Sequence, residues 1–542
     1  MATAHGNGGG GGGPGWESDR HGDSGAPLSR RLRIGPGGAA YDPTMLEARA
    51  HHQLKALLAG EGAQRWPHHL TLSRLVARSL RRGDQTLVRL AAGTDPSWWI
   101  SLLVPLALGE TPVALVVSDA LRQRLLQVEW PRLRAVGLAL PCWEGPDAPE
   151  MGALWLLNHR QLLQAWNQGR LGARQLVIPE VELLETALRQ ALAVQIEPGD
   201  WERLLRVLPA AEASLMSLHG RLGQRLLRHP RTPHGLVALA ADDEAPLRHL
   251  LSVLQPLPDP WRAWLQASGD GWCSWARVEP DQMRWQLHRQ PLEPLAQLAD
   301  LLKNRGVVLA GELALPGRGG PGTGGAAGAG ASSPLEGSLA ALALQPGVVV
   351  ELSDPPLTDP LPLYAPLRQP LPNSPFYGEH LLEQSRRLVL GQSGLTVVLV
   401  DDPALRGALA SGLAAEFGSR VGVEGTAPES NGVLCCRWSW WLENQGRLPL
   451  PCQVLVALLP IASLEEPLTA ARVARLRQQG RDWFRELLLP DALNRLQRSV
   501  AGLRRSGGRL AVLDGRLRGR SWGRQVFRAL EPWSPLTRLL PD

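Results

Sequence analysis

The feature that most constrains this chain is a recurring unit: a short, continuously apolar run, then a turn, then a helical stretch. Thr86–Ala91 leads into Gly93-Thr94 and an apolar helix from about Ser97, and Val113–Val117 leads into a helix over Ala120–Val128. Leu154–Leu157, Gln175–Pro179 and Gly306–Ala310 repeat the first half of the unit. Beyond residue 337 the style returns, with Thr396–Val400 before a helix over Pro403–Phe417, then Val433–Cys436, Val454–Leu458 and Arg509–Asp514. Strands buried on both faces read as unbroken apolar runs, and their alternation with helices predicts parallel α/β sheets. The expected fold class is therefore α/β.

Residues 1–45 are Gly-rich and patternless, which predicts a disordered N-terminal tail. A second low-complexity stretch, Gly317–Ser333, reads as a flexible linker over 317–336. It divides the chain into a first domain over 46–316 and a second over 337–542. Residues 186–228 carry leucines at three- and four-residue spacing, and Trp261, Trp264, Trp272, Trp275 and Trp285 follow. This region, about 186–300, reads as a helical insertion in the first domain.

Composition excludes several chemistries. All but two of the 57 basic residues are arginine, and the two lysines are Lys55 and Lys303. Neither stands in a Gly-Lys-Ser/Thr context, so no standard phosphate loop exists, and Schiff-base or kinase chemistry is poorly served. The net charge of +6 is too mild to specify nucleic acid by itself. The five cysteines form no Cys-x-x-Cys and no zinc spacing, which reads as reduced thiols in a cytoplasmic protein. The apolar run Trp98–Val117 is broken by Gly109-Glu110-Thr111-Pro112, which reads as helix, turn and strand with no membrane partner.

The most specific segment is Leu458–Leu517. Leu459-Pro460-Ile461, Pro467, Phe484-Arg485, Leu489-Pro490-Asp491-Ala492, Gln497, Arg504 and Leu513-Asp514-Gly515-Arg516 fall in an order and spacing that resembles the second motor domain of DinG/XPD-type superfamily-two helicases. Outward from it, degraded counterparts of other family motifs follow. Ser439-Trp440-Trp441 resembles the Ser-Phe-Trp motif, and Gly311-Glu312-Leu313 stands where Ser-Ala-Thr-Leu would be. Pro179-Glu180 falls within the Asp-Glu-Ala-His position, and Asn158-His159 resembles the segment before it. Gly93-Thr94-Asp95-Pro96-Ser97-Trp98-Trp99 stands where the phosphate loop would be.

The resemblance implies two RecA-like motor domains, with ATP and magnesium as cofactors and single-stranded or forked DNA as partner. The departures argue against the motor chemistry. Trp98 replaces the phosphate-binding lysine and Trp99 the magnesium-binding hydroxyl residue, while Pro179 replaces a metal-coordinating carboxylate. In the arginine motif Ala501 replaces the first arginine, leaving Arg504; such fingers contribute about 10³ to 10⁵ in rate. Glu180 is the carboxylate left to activate water. ATP hydrolysis is expected to be lost or strongly impaired, and Cys142 alone in the cluster region predicts no iron–sulfur cluster.

Several residues carry a second, plainer reading. Gly93-Thr94 could cradle an anion, but with Asp95-Pro96 following it reads better as a strand-to-helix turn. Arg504, Arg505 and Arg509 stand evenly between contacts across an interdomain cleft and a solvated helix end. Arg516, Arg518, Arg520 and Arg524, interleaved with Trp522, match the pattern of single-strand binding, against the alternative of a basic surface helix. The expected function is a helicase-like nucleic-acid binder without ATP turnover. An active helicase with an unorthodox site and a protein-interaction scaffold are the alternatives.

Overall fold

The computed structural model describes residues 45–61, 66–149, 153–230, 232, 234–312, 341–352 and 359–536. The N-terminal tail to residue 44 and the Gly-rich 317–336 segment lie outside the described residues.

The apolar runs form strands where expected. The first domain begins with β1 (Gln85–Leu90), β2 (Val113–Val116), β3 (Cys142–Trp143), β4 (Leu154–Leu157) and β5 (Gln175–Ile178). There follow β6 (Val194–Ile196), β7 (Leu236–Ala238), β8 (Trp272–Glu279) and β9 (Arg284–Pro291), and then β10 (Val307–Glu312) and β11 (Val348–Leu352). The first sheet has the order β11-β1-β10-β5-β2-β4-β3 and is parallel throughout. Helices cover both faces; Trp98, Trp99 and Ile100 pack into the core on one side, and Trp155, Leu162 and Leu188 into the core on the other.

The second domain contains β12 (Leu361–Tyr364), β13 (Thr396–Leu399), β14 (Val421–Val423), β15 (Val433–Cys436), β16 (Gln453–Val456), β17 (Arg509–Val512) and β18 (Trp533–Pro535). Its sheet order is β14-β15-β13-β16-β17-β12-β18, again parallel. Trp438 and Trp441, 0% and 1% exposed, anchor the core on one face. Their indole N–H groups donate to the carbonyls of Leu458 and Ser499, which satisfies the one polar side-chain atom each buries. Both domains are RecA-like.

Two expectations change. The domain boundary moves from 337 to beyond Leu352, because Val348–Leu352 pairs with β1 as an edge strand of the first sheet. The insertion is mixed rather than helical: β6, β9, β8 and β7 form a four-stranded antiparallel sheet in that order. Helices Pro198–Val207, Glu212–Leu227 and Ala241–Val253 pack against it around Trp201, Trp261, Trp264 and Trp285.

Candidate functional site

Parallel sheets place their strand ends, and hence their sites, along one edge. The order β1-β10-β5 brings three loops together there: Gly93-Thr94 after β1, Glu312 at the end of β10 and Glu180 after β5. The turn after β1 is self-contained. The Thr94 hydroxyl and N–H both donate to the Ala91 carbonyl, at 2.7 and 3.0 Å. Asp95 caps the following helical turn, accepting from the Ser97 N–H at 2.8 Å, with Pro96 in the first position. Ser97 and Ser101 bond the two ring nitrogens of the buried His69 at 3.2 and 2.6 Å. The rings of Trp98 and Trp99 stack on each other at 3.8 Å and sit in the domain core.

The loop's surroundings come from the chain itself. The Gly93 N–H faces the Glu312 carboxylate and favours its charged form. Gly93 has φ +81°, and a Cβ built on it would lie 2.5 Å from the Cβ of Ala501 in the second domain. Arg505 closes the contact, donating from Nε to the Gly93 carbonyl at 2.6 Å and reaching Asp95 at 3.7 Å.

Beside the loop lies a cluster of carboxylates. Glu180 has a left-handed backbone, φ +59°, and accepts from the Ser118 N–H at 3.3 Å. Glu182 accepts from the Glu312 N–H at 3.1 Å. Burial raises Glu180 to about 7, and the neighbouring Glu182 charge adds to the rise. Burial and Glu182 likewise push Glu312 up to about 7, and burial raises Glu182 itself. Arg498 of the second domain opposes all three shifts.

The expected site residues separate into two groups. Gly93, Thr94 and Glu180 are brought to one edge. Arg504 is not: it faces its own domain, donating to the carbonyls of Asp359, Pro532 and Leu530 at 2.8, 3.0 and 2.6 Å. Arg509 is likewise internal, donating to the Leu388 carbonyl at 3.0 Å. The residues facing the first domain are Arg498, Ala501 and Arg505. They lie three and seven positions apart on the Leu489–Ser506 helix, one face of it by helical spacing, whereas Arg504 falls on another. That phase is the signal that distinguishes Arg505 from Arg504. Glu182 and Glu312 had none, since their meeting depends on strand order.

The expected nucleic-acid stripe is only partly free. Arg516 is engaged by Asp514 at 2.6 Å, and Arg518 donates to the Ala365 carbonyl at 2.9 Å. Trp522 is half-buried against Phe484, 5.7 Å between ring centroids, so it is no open stacking platform. Arg520 and Arg524 are exposed. Arg368, also exposed, lines a cavity of about 290 Å³ together with Arg518, Leu367 and Asp514.

No family model matches the chain. Among curated proteins it is similar to the ATP-dependent DNA helicase YoaA of Escherichia coli, 28% identical over 182 residues, which is 31% of this chain and 28% of that protein. YoaA of Haemophilus influenzae is 32% identical over 113 residues, 20% of this chain and 18% of that protein. The matched segments thus span under a third of either relative's length. Among solved structures, Xpd4 of S. tokodaii superposes with a TM-score of 0.54 at 12% identity, covering 84% of this chain and 97% of that one. An XPD helicase structure gives 0.57 at 10% identity, covering 88% and 100%. At these identities the likeness to the solved structures is one of fold.

Proposed function

We propose that this chain, a divergent relative of DinG/XPD-type superfamily-two helicases, binds nucleic acid on a helicase scaffold without hydrolysing ATP. The observation that carries the reading is the state of the loop after β1. The Glu312 carboxylate faces its Gly93 N–H, and its outer face is covered by Ala501 and Arg505. A nucleotide phosphate needs free N–H donors, a counter-charge and room for the backbone to approach. Here the donor faces a carboxylate, and tryptophans replace the lysine and the hydroxyl residue. The residues present do not fit ATP and magnesium, so no hydrolytic step is assigned to Glu180.

The proposed nucleic-acid surface is on the second domain, around the exposed Arg368, Arg520 and Arg524. Guanidiniums not committed to internal partners are available to phosphates. Arg516, Arg518 and Trp522 then act from within, holding the strand-end loop and the following helices in place.

The test is fluorescence anisotropy of a single-stranded oligonucleotide titrated with the full chain, without nucleotide, across a salt series. Binding is expected to weaken linearly on a log–log plot, with the slope reduced by about 0.7 for each phosphate contact removed. The double variant Arg520→Glu/Arg524→Glu is expected to weaken binding at least tenfold and flatten the slope. Binding that ignores both changes would contradict the assignment, as would DNA-stimulated release of phosphate from ATP.

A further inference from the structure

We infer that the two parallel-sheet domains are latched closed by the chain itself, with first-domain carboxylates standing where a motor would hold nucleotide phosphate and second-domain arginines reading them. The inference rests on the proposed loss of the nucleotide, but it makes a separate claim, about conformation.

The latch has two surfaces. On the first domain, β1, β10 and β5 present the Gly93 carbonyl, Asp95, Glu312, Glu182 and Glu180. On the second, one face of the Leu489–Ser506 helix presents Arg498, Ala501 and Arg505. The small side chain at 501 lets the helix come down onto Gly93, and the 2.6 Å Arg505–Gly93 bond fixes the approach. Other contacts bridge the same closure: Arg447 donates to Gln123 at 2.8 Å, Arg472 pairs with Glu185 at 2.7 Å and Arg475 with Glu293 at 3.0 Å, beside the apolar packing of Leu468 and Ala471 on Cys273 and Trp275. A two-domain motor closes when a bound ligand supplies charge between its halves. This chain supplies that charge from its own sequence.

The charges do not balance, which makes the latch sensitive to protons. Glu180 faces Glu182, the Ser118 N–H and Arg498. Glu182 faces Arg498 and the Glu312 N–H. Glu312 faces Glu182, the Gly93 N–H, Arg498 and Arg505, and Asp95 faces Arg505 and His69. Burial, which Arg498 and Arg505 offset only in part, keeps protons on Glu180 and Glu312 in the closed state, whereas Asp95 is held below the ordinary range with help from Ser97 and Arg505. Opening hydrates the carboxylates and returns them toward the ordinary range. On Glu180 and Glu312 closure therefore takes up protons: it is firmest near the ordinary 4.5 and is lost as pH rises through 7.

The test is single-molecule energy transfer between dyes placed by unnatural amino acids at Arg160 and Glu379, both exposed, in the full chain. A single short-distance population is expected without nucleotide, unmoved by millimolar magnesium-ATP. Arg505→Ala and Gly93→Ala are expected to shift molecules to longer distances. Glu312→Gln, which removes the titrating proton and keeps the side chain's shape, is expected to stay closed and lose part of the pH dependence. An open population without nucleotide that closes on adding ATP would overturn the latch. So would a short distance that persists unchanged in both Arg505→Ala and Gly93→Ala. Saturable ATP binding with the short distance unchanged would sink the proposed function and leave the latch standing.

Discussion

Arg504 and Arg505 are adjacent in sequence and do unrelated work. Arg504 gathers three backbone carbonyls, from Asp359, Leu530 and Pro532, and so ties the C-terminal strand region to the sheet. Arg504→Ala removes the donor from the part-buried Leu530 carbonyl, which costs on the order of 1–3 kcal/mol. The expected outcome is a lower urea midpoint with nucleic-acid binding unchanged, read by equilibrium denaturation and anisotropy. Arg505→Ala is expected to change stability far less and to act on the interdomain distance. Motif order singled out Arg504, because a spacing pattern names a position and not a direction. Helical phase would have named Arg505, since 498, 501 and 505 share a face. Glu312 stood in a degraded motif, but nothing in the sequence marked its contact with Glu182, which is made by the neighbouring placement of β10 and β5.

At the level of elements, the parallel strands were legible and the insertion was not, for one physical reason. Strands such as Thr396–Leu399 and Val433–Cys436 are buried at every position, so their apolar runs are unbroken. Strands β8 and β9 are antiparallel and mixed in burial, and Arg277, Arg284, Gln286 and Arg289 interrupt them, so their pattern dissolves into the surrounding helices. The insertion also docks onto the second domain through Leu468 and Ala471 of the Pro467–Gln478 helix, which pack on Cys273, Trp275 and Leu292. This small apolar contact, rather than the partly exposed Arg475–Glu293 pair, holds it there. Leu468→Asp is expected to speed amide exchange in β8, while Arg475→Ala leaves it nearly unchanged. The reverse ranking would show that charge does the holding. In the second-domain core, Trp441→Ala removes a fully buried ring and leaves the Ser499 carbonyl without its indole donor. A loss of about 3–5 kcal/mol is expected, read as a lower denaturation midpoint.

For the whole molecule, the raised carboxylates set a pH dependence with a definite sign. Glu180 and Glu312 hold protons up to about pH 7 in the folded chain, whereas an unfolded glutamate releases them near the ordinary 4.5. Between those values the folded state binds more protons, so their contribution to stability is present at low pH and lost as pH rises through 7. Relative to wild type, Glu180→Gln and Glu312→Gln are each expected to raise the melting temperature at about pH 8 and to change it little at about pH 5. An equal shift at both pH values would mean that the carboxylates are not protonated in the fold. The two RecA-like sheets have the fold of the XPD structures, and in the proposed reading Glu312, Gly93, Ala501 and Arg505 join them. The most direct test of that claim is an equilibrium titration of the purified full chain with a fluorescent ATP analogue and magnesium, with and without single-stranded DNA. No saturable nucleotide signal is predicted up to millimolar concentration, while the DNA still binds. Saturable binding that strengthens with DNA would contradict the claim, because a working nucleotide site would then survive between Gly93 and Arg505.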